Sequence, residues 1–285
     1  MSDAFLKSGL RTLARASHRY LPNAASPSKP HKFPTTSSHV LIACFPKSGS
    51  TYLCKVLADL TGMQRTNFMQ ARTHGWYVEQ DLYEPTLKAL RRSPAIVHQH
   101  LKGTPPNLFL LAEYKVRPLI LVRNIADTLL SLHDHLDREG PAVPTGYVPR
   151  HYFDLDFDSR LMSLIRMHLP WYFNFLAAWQ DATSEIDQKW LSYEQLFADR
   201  VGTVRDVCEY FGIAATELEI QSSLDRLDAD ANATRKNIGK AGRGASLPQT
   251  HKQAIRELAD CWHLTEKTSQ LVGLNNQECE LPEAL

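Results

Sequence analysis

The residues best suited to chemistry in this chain form the stretch Pro46-Lys-Ser-Gly-Ser-Thr-Tyr52. It joins the apolar run His39–Phe45 to a run of helical spacing over 51–60, an order typical of strand, tight turn and helix. Backbone N–H groups of such a turn, the positive end of the helix and a lysine can together bind an anion. We interpret the stretch as a phosphate-binding loop; the alternative is an ordinary turn with a surface lysine. It is not a Walker A loop, because Lys47 precedes the glycine instead of following it.

Two histidines are candidate functional residues in a second apolar run, 94–101. His98 and His100 alternate in this β-type run, so we expect both on one side of a strand. Two such histidines could bind a metal, but no third ligand is predictable nearby. One histidine with a role in the chemistry, or two structural histidines, is therefore favoured over two histidines that bind a metal.

A third apolar run, 117–122, is typical of a buried parallel strand and ends at Arg123, where α/β proteins place ligand residues. A surface ion pair is the alternative for Arg123. Farther on, the segment 234–244 carries four cations and three glycines and no acid, which indicates an anion clamp or a solvated loop.

Strand and helix patterns alternate from residue 39 onward, which predicts an α/β fold with right-handed crossovers. We expect a single domain, 39–285, with a central parallel sheet flanked by helices and a P-loop-like nucleotide-binding core. Strands are predicted at 39–45, 94–101, 117–122 and 189–193; helices are predicted at 51–60, 125–133, 161–182 with a break at Pro170, 203–211, 215–227 and 248–262.

The segment 1–38 precedes this domain and combines a basic amphipathic pattern over 1–22 with a Pro/Ser-rich linker. A tail helix is the favoured interpretation of 1–22, and peripheral membrane contact or a transit peptide is the alternative. We expect the domain to tolerate removal of 1–38.

Composition excludes several classes of protein. With 32 basic and 31 acidic residues the formal net charge is +1, which argues against a general nucleic-acid-binding surface. Five cysteines without a C-x-x-C pair predict reduced thiols, a cytoplasmic location and no zinc framework. Asp154, Asp156 and Asp158 are spaced like the start of a calcium loop, but the required glycine and glutamate are missing, so no metal site is predicted.

The order and spacing of these features resemble the sulfotransferase family that uses 3′-phosphoadenosine 5′-phosphosulfate (PAPS), over about residues 39 to 245. Pro46–Tyr52 is similar to that family's PKSGTTW loop, and Val122–Ser131 is similar to its 3′-phosphate motif RN-x-x-D-x-x-x-S. The resemblance implies that the 5′ end of PAPS is held by Lys47, Ser48, Gly49, Ser50 and Thr51, that Tyr52 replaces an adenine-stacking Trp, and that Arg123 and Ser131 bind the 3′-phosphate.

The resemblance extends to two further segments. Tyr193 corresponds to a tyrosine that contacts adenine, and Arg235 and Lys236 correspond to the start of an RKGxxG loop near the 3′-phosphate. Asn237 stands where that loop has its first glycine. The stretch 97–101 resembles KTHL, which implies that His100 is the general base.

His98 takes the place of the KTHL lysine. The positive charge that this lysine would bring to the site is therefore either missing or supplied by a protonated His98. The expected reaction is in-line transfer of a sulfuryl group from PAPS to a hydroxyl or amine of a small-molecule, lipid or glycan acceptor, without a metal. Lys47 would stabilise the departing phosphate, and the acid limb of the pH profile would lie near neutrality. The alternatives are a P-loop phosphotransferase of the kinase type, or a catalytically weak nucleotide-binding protein of the same fold.

Overall fold

The structure is a computed structural model that describes residues 39–70, 80–91, 93–141, 143–229 and 241–274. Several residues singled out above lie outside these ranges, namely the N-terminal segment 1–38 and the predicted anion-binding residues Arg235 and Lys236.

Five parallel strands form one sheet in the order β2-β3-β1-β4-β5. The central strand β1 pairs with β3 through His39 and Ala95, and with β4 through Leu41 and Pro118. The predicted parallel sheet is confirmed, and the loops that follow β1, β3 and β4 meet at its carboxyl edge. The strands are β1 His39–Cys44, β2 Gln64–Thr66, β3 Ala95–Gln99, β4 Pro118–Val122 and β5 Lys189–Ser192.

Helices cover both faces of the sheet, as a parallel sheet requires. Side chains alternate along β1, so that Leu41 packs into one apolar cluster and Val40 and Ile42 into the other. The described helices are α1 Ser50–Thr61, α2 Glu84–Leu90, α3 Pro105–Glu113, α4 Ile125–Glu139, α5 Phe157–Met167, α6 Leu169–Asp181, α7 Tyr193–Ala198, α8 Arg200–Phe211, α9 Glu217–Ala229, α10 Gln249–Ala259 and α11 Glu266–Leu271.

Helix boundaries follow capping residues more closely than apolar periodicity. Pro170 lies in the first turn of α6, where its missing N–H is tolerated, so the break predicted there is confirmed. The prediction that β5 extends through Tyr193 is wrong by one residue. Ser192 and Gln195 form a capping box that begins α7 at Tyr193 instead. Asp156, from the rejected calcium pattern, caps α5 by accepting the N–H of Ser159.

No helix within the described ranges is long and apolar enough to cross a bilayer. Cys44, Cys54 and Cys208 are buried free thiols, and burial raises the pKa of each.

Candidate functional site

The predicted phosphate loop connects the carboxyl end of β1 to α1 at the middle of the sheet. Lys47 and Gly49 both have left-handed backbones, with φ of 72° and 84°. The Ser48 hydroxyl is buried and donates to the Phe45 carbonyl, 2.9 Å away, so it fixes the turn. A Cβ on Gly49 would lie 3.0 Å from the Tyr193 ring, so glycine here permits a left-handed turn against an aromatic face.

Lys47 occupies surroundings that disfavour its own charge. Burial is the main cause that lowers the pKa of Lys47 to about 8, and the charges of Arg138 and Arg123 lower it further. A partly desolvated lysine beside other cations is stabilised when an anion binds, which fits the predicted role.

Arg123 is buried beside the loop, with 6% of its surface exposed, so the surface ion pair considered for it is excluded. Its Nη1 donates to the Lys47 carbonyl across 3.2 Å, and its guanidinium carbon lies 4.2 Å from the centre of the Tyr193 ring. Its Nη2 lies 3.6 Å from a carboxylate oxygen of Asp127. Ser131 is buried farther along α4. The structure therefore brings the phosphate loop and Arg123 together, whereas Arg235 and Lys236 of the third basic segment lie outside the described residues.

The two tyrosines predicted near adenine meet through a third aromatic ring. Phe197 packs against Tyr193 with ring centres 4.3 Å apart and against Tyr52 with centres 5.2 Å apart. Arg200 donates to the Tyr52 hydroxyl across 3.1 Å. Neither Phe197 nor Arg200 was identified from the sequence, because they lie on α7 and α8, which are distant in the chain from the loop.

His100 follows β3 and faces the end of β1. Its Nδ1 lies 2.9 Å from the Cys44 carbonyl, an oxygen that can only accept, so Nδ1 carries the hydrogen and Nε2 carries the lone pair. Burial lowers the pKa of His100 to about 4; the bond to Cys44 raises it and the charge of Lys47 lowers it. The imidazole is therefore neutral near pH 7 and able to take a proton through Nε2.

His98 lies two residues before His100 on β3. Burial lowers the pKa of His98 to about 4, with further lowering by His100 and Arg65. His98 is therefore neutral near pH 7, and the suggestion that it supplies a protonated helper charge is wrong. Because burial lowers the pKa of His100 to about 4, we now expect the acid limb of the pH profile near that value and not near neutrality.

Two glutamines hold the backbone of His100 in place. Gln80 accepts the His100 N–H through its side-chain oxygen at 2.7 Å, and its own carbonyl accepts from the Gln99 amide. Gln99 is fully buried and also accepts the N–H of Phe68 at 3.0 Å. This pair was not predicted from the sequence, although a glutamine between two histidines in an apolar strand is a signal for a buried hydrogen-bond network.

Three histidines whose pKa values burial lowers to about 4 make the stability of the fold sensitive to acid. His168 is buried 2.9 Å from the Thr145 hydroxyl, and burial lowers its pKa to about 4, as for His98 and His100. In the unfolded chain each histidine binds a proton below about pH 6.5, whereas in the folded chain each does so only near pH 4.

The free energy of unfolding is therefore expected to fall as pH drops from about 6.5, by up to about 1.4 kcal/mol per pH unit for each histidine. Urea unfolding at pH 7, 6 and 5 measures this slope above the range in which most carboxylates titrate. The variant His168→Gln should show a shallower slope. Equal stability at pH 7 and pH 5 would contradict the burial of neutral imidazoles.

Among the described residues there is no cluster of three or more His, Cys, Asp or Glu side chains that could hold a metal ion. The site is instead lined by Lys47, Arg123 and the neutral His100, an arrangement that can bind phosphate groups and accept a proton.

Comparison with solved structures identifies the same fold in sulfotransferases. A structure of mouse sulfotransferase SULT7A1 complexed with PAP superposes with a TM-score of 0.61 at 14% identity, over 84% of this chain and 90% of that one. Retinol dehydratase in complex with androsterone and inactive cofactor PAP superposes with a TM-score of 0.55, also at 14% identity, over 86% of this chain and 84% of that one.

Sequence comparison agrees with the fold. Mouse sulfotransferase 6B1 is 24% identical over 216 residues, which cover 73% of this chain and 67% of that protein. Rat sulfotransferase 2A1 is 22% identical over 198 residues, which cover 64% of this chain and 62% of that protein. The family profile described as the sulfotransferase domain matches residues 37–252, well over half of the sequence, and the chain belongs to the sulfotransferase family.

Proposed function

We propose that this protein transfers a sulfuryl group from PAPS to a hydroxyl group of a small organic acceptor. One observation carries the proposal: the buried guanidinium of Arg123 lies on the Tyr193 ring and donates to the carbonyl of Lys47. A second cationic group is thus built directly beside the phosphate loop. A nucleotide with phosphate groups at both its 5′ and 3′ positions needs this pair of sites, whereas AMP needs only one.

The geometry supports an in-line mechanism. The acceptor oxygen attacks sulfur while Nε2 of His100 takes the hydroxyl proton, and the bond between sulfur and the 5′-phosphate oxygen breaks. Lys47 and the loop N–H groups stabilise the charge that develops on this oxygen. The products are a sulfate ester and adenosine 3′,5′-bisphosphate, with the proton left on His100.

Calorimetry with nucleotides tests the donor assignment. Adenosine 3′,5′-bisphosphate should bind more tightly than AMP or ATP, and magnesium should not be required. A phosphotransferase of the kinase type would instead prefer ATP with magnesium. Equal affinity for the bisphosphate and AMP would contradict the assignment of the 3′-phosphate to Arg123 and Ser131.

Lys47 should make the affinity for adenosine 3′,5′-bisphosphate depend on pH. The pKa of Lys47 is about 8 in the free protein, and a bound anion should raise it, since the anion stabilises the charged amine. Above about pH 8 the free protein must take up a proton on binding, so affinity should fall by up to about tenfold per pH unit.

Titrations with the bisphosphate between pH 7 and pH 9.5 measure this dependence. In Lys47→Arg the guanidinium stays charged throughout, so the pH slope should disappear whatever the affinity of that variant at pH 7. A slope that persists unchanged in Lys47→Arg would assign the titration to another group.

We propose a small aromatic or apolar alcohol as the acceptor in preference to a lipid or glycan, and an amine remains a second acceptor type. Trp171 lies near His100, with ring centres 6.3 Å apart, and stacks on Phe175. Apolar acceptor surface would be buried against such rings. Activity that is confined to sugar hydroxyls would contradict this choice.

A cytoplasmic location, and membrane contact through residues 1–22, are further proposals that rest on the cysteine content and on the basic amphipathic pattern. Fractionation of cells that express the full chain, and a variant without residues 1–22, would test both.

A further inference from the structure

A buried carboxylate on α4, Asp127, contacts both Arg123 and a distant segment of the chain. Only 1% of the residue is exposed. One oxygen, Oδ2, accepts the N–H of Gly242 at 2.7 Å and lies 3.6 Å from Nη2 of Arg123; the other, Oδ1, accepts the N–H of Gly244 at 2.6 Å. The two backbone N–H groups and the guanidinium therefore share one carboxylate.

Two further contacts dock the same segment on α4. Gly244 packs so tightly that an added Cβ would clash with the Cβ of Ala126. Arg243 forms an ion pair of 2.7 Å with Asp134, two helical turns beyond Asp127. Side-chain hydrogen bonding, close packing and an ion pair thus fix residues 242–244 along the helix that also carries Ser131.

The charge of Asp127 is unexpected at this position. A carboxylate next to Arg123 offsets part of the positive charge that would attract a phosphate, so on electrostatic grounds alone it weakens phosphate binding. Any favourable effect of Asp127 on phosphate binding must therefore come from the groups that it holds in place. A buried carboxylate that accepts two backbone N–H groups fixes both strongly, and it also limits the directions in which the Arg123 guanidinium can point.

We infer that Asp127 is a positioning residue for the 3′-phosphate of the donor, an inference that rests on the proposed function. It acts through Arg123 and through the docked segment 242–244, and it does not itself touch the nucleotide. The position can be seen in the sequence as the acidic residue of the RN-x-x-D-x-x-x-S pattern, but its partners 115 and 117 residues away become visible only in the structure.

In the variant Asp127→Asn, loss of the positioning contacts should weaken phosphate binding, whereas loss of the negative charge should strengthen it, so the direction of the change tells the two effects apart. The amide of this variant can accept one N–H group but directs an NH₂ group at the other, so docking is lost, while the negative charge beside Arg123 disappears. If position dominates, affinity for adenosine 3′,5′-bisphosphate should fall at least tenfold, while affinity for AMP, which lacks the 3′-phosphate, stays within twofold of wild type. The preference for bisphosphate over AMP is the readout, because a loss of folded protein would lower both affinities equally.

Two other variants complete the test. Gly244→Ala keeps the carboxylate but forces a Cβ against Ala126, so it should reproduce the selective loss of bisphosphate affinity. Asp134→Asn removes the ion pair to Arg243 and weakens the 3.7 Å contact to His133, both at a partly exposed position, so it should change the preference by less than threefold. Melting temperatures of all three variants are measured beside the titrations.

Each outcome decides the matter. A selective loss in Asp127→Asn and Gly244→Ala supports the positioning role. Tighter bisphosphate binding by Asp127→Asn would show that Asp127 acts only through its charge, and an unchanged preference or an equal loss for both nucleotides would show that it stabilises the fold alone; each of these overturns the inference. Wild-type protein that binds the bisphosphate no better than AMP would overturn the proposed function as well.

Discussion

The variant His100→Ala is expected to transfer sulfuryl groups about two to four orders of magnitude more slowly than the wild type, the usual loss when a general base is removed. The hydrogen bond from Nδ1 to the Cys44 carbonyl leaves Nε2 as the basic atom, and the low pKa keeps the ring neutral at pH 7. Single-turnover rates with saturating PAPS measure the loss directly. Affinity for adenosine 3′,5′-bisphosphate should stay within about threefold, since the base contacts the acceptor and not the donor nucleotide.

His98→Ala is the matched control, because His98 lies on β3 two residues before His100 and is also held neutral by burial. It should cost far less activity, and His98→Lys should remain active. The wild-type acid limb should reflect a group with a pKa of about 4. A dead His98→Ala beside an active His100→Ala would refute the choice of base, as would an essential carboxylate such as Glu79, which lies outside the described residues.

Arg123→Ala is expected to weaken binding of adenosine 3′,5′-bisphosphate by about 2 to 4 kcal/mol, which is about 30-fold to 1,000-fold in Kd. The guanidinium is buried and oriented by the Lys47 carbonyl and the Tyr193 ring, so its contact with a phosphate would be charge-assisted and largely desolvated. Calorimetry measures the change, and affinity for AMP should be nearly unaffected.

A second arginine that stacks on a tyrosine serves as the control. Arg117 also packs on a tyrosine, with its guanidinium carbon 4.7 Å from the Tyr210 ring centre, but it precedes β4 instead of following it. Arg117→Ala removes a similar stacked arginine from the opposite end of the same strand and should leave nucleotide binding unchanged. Wild-type bisphosphate affinity in a folded Arg123→Ala protein would show that Arg123 has no part in donor recognition.

Local signals in the sequence predicted the parts of the site that depend on neighbouring residues. The loop around Lys47 was predictable because an apolar strand, a turn and a helix follow one another within about twenty residues, and Arg123 because ligand residues follow buried parallel strands. Strands and helices with weak periodicity, such as β2 and α2, were missed because the two elements span three and seven residues.

Features that depend on distant contacts could not be predicted. The tautomer of His100 is set by a carbonyl 56 residues away, and the neutral state of His98 follows from burial that only the packed sheet creates. Phe197 reaches Tyr52 only because α7, which follows β5, and α1, which follows β1, both begin at the carboxyl edge of the sheet. Side-chain position in the site is therefore a property of the assembled fold, whereas the identity of its phosphate-binding residues is a property of short segments.

Transfer of radiolabel from PAPS to a hydroxyl acceptor tests the proposed reaction most directly. Purified full-length protein is incubated without metal with sulfur-labelled PAPS and a panel of aromatic, apolar, sugar and amine acceptors. The mechanism predicts a labelled sulfate ester from at least one aromatic or apolar alcohol and an equal amount of adenosine 3′,5′-bisphosphate, both lost in His100→Ala. Tight binding of the bisphosphate with no transfer to any acceptor in the panel would contradict this and identify instead a nucleotide-binding protein that has kept the fold without the activity.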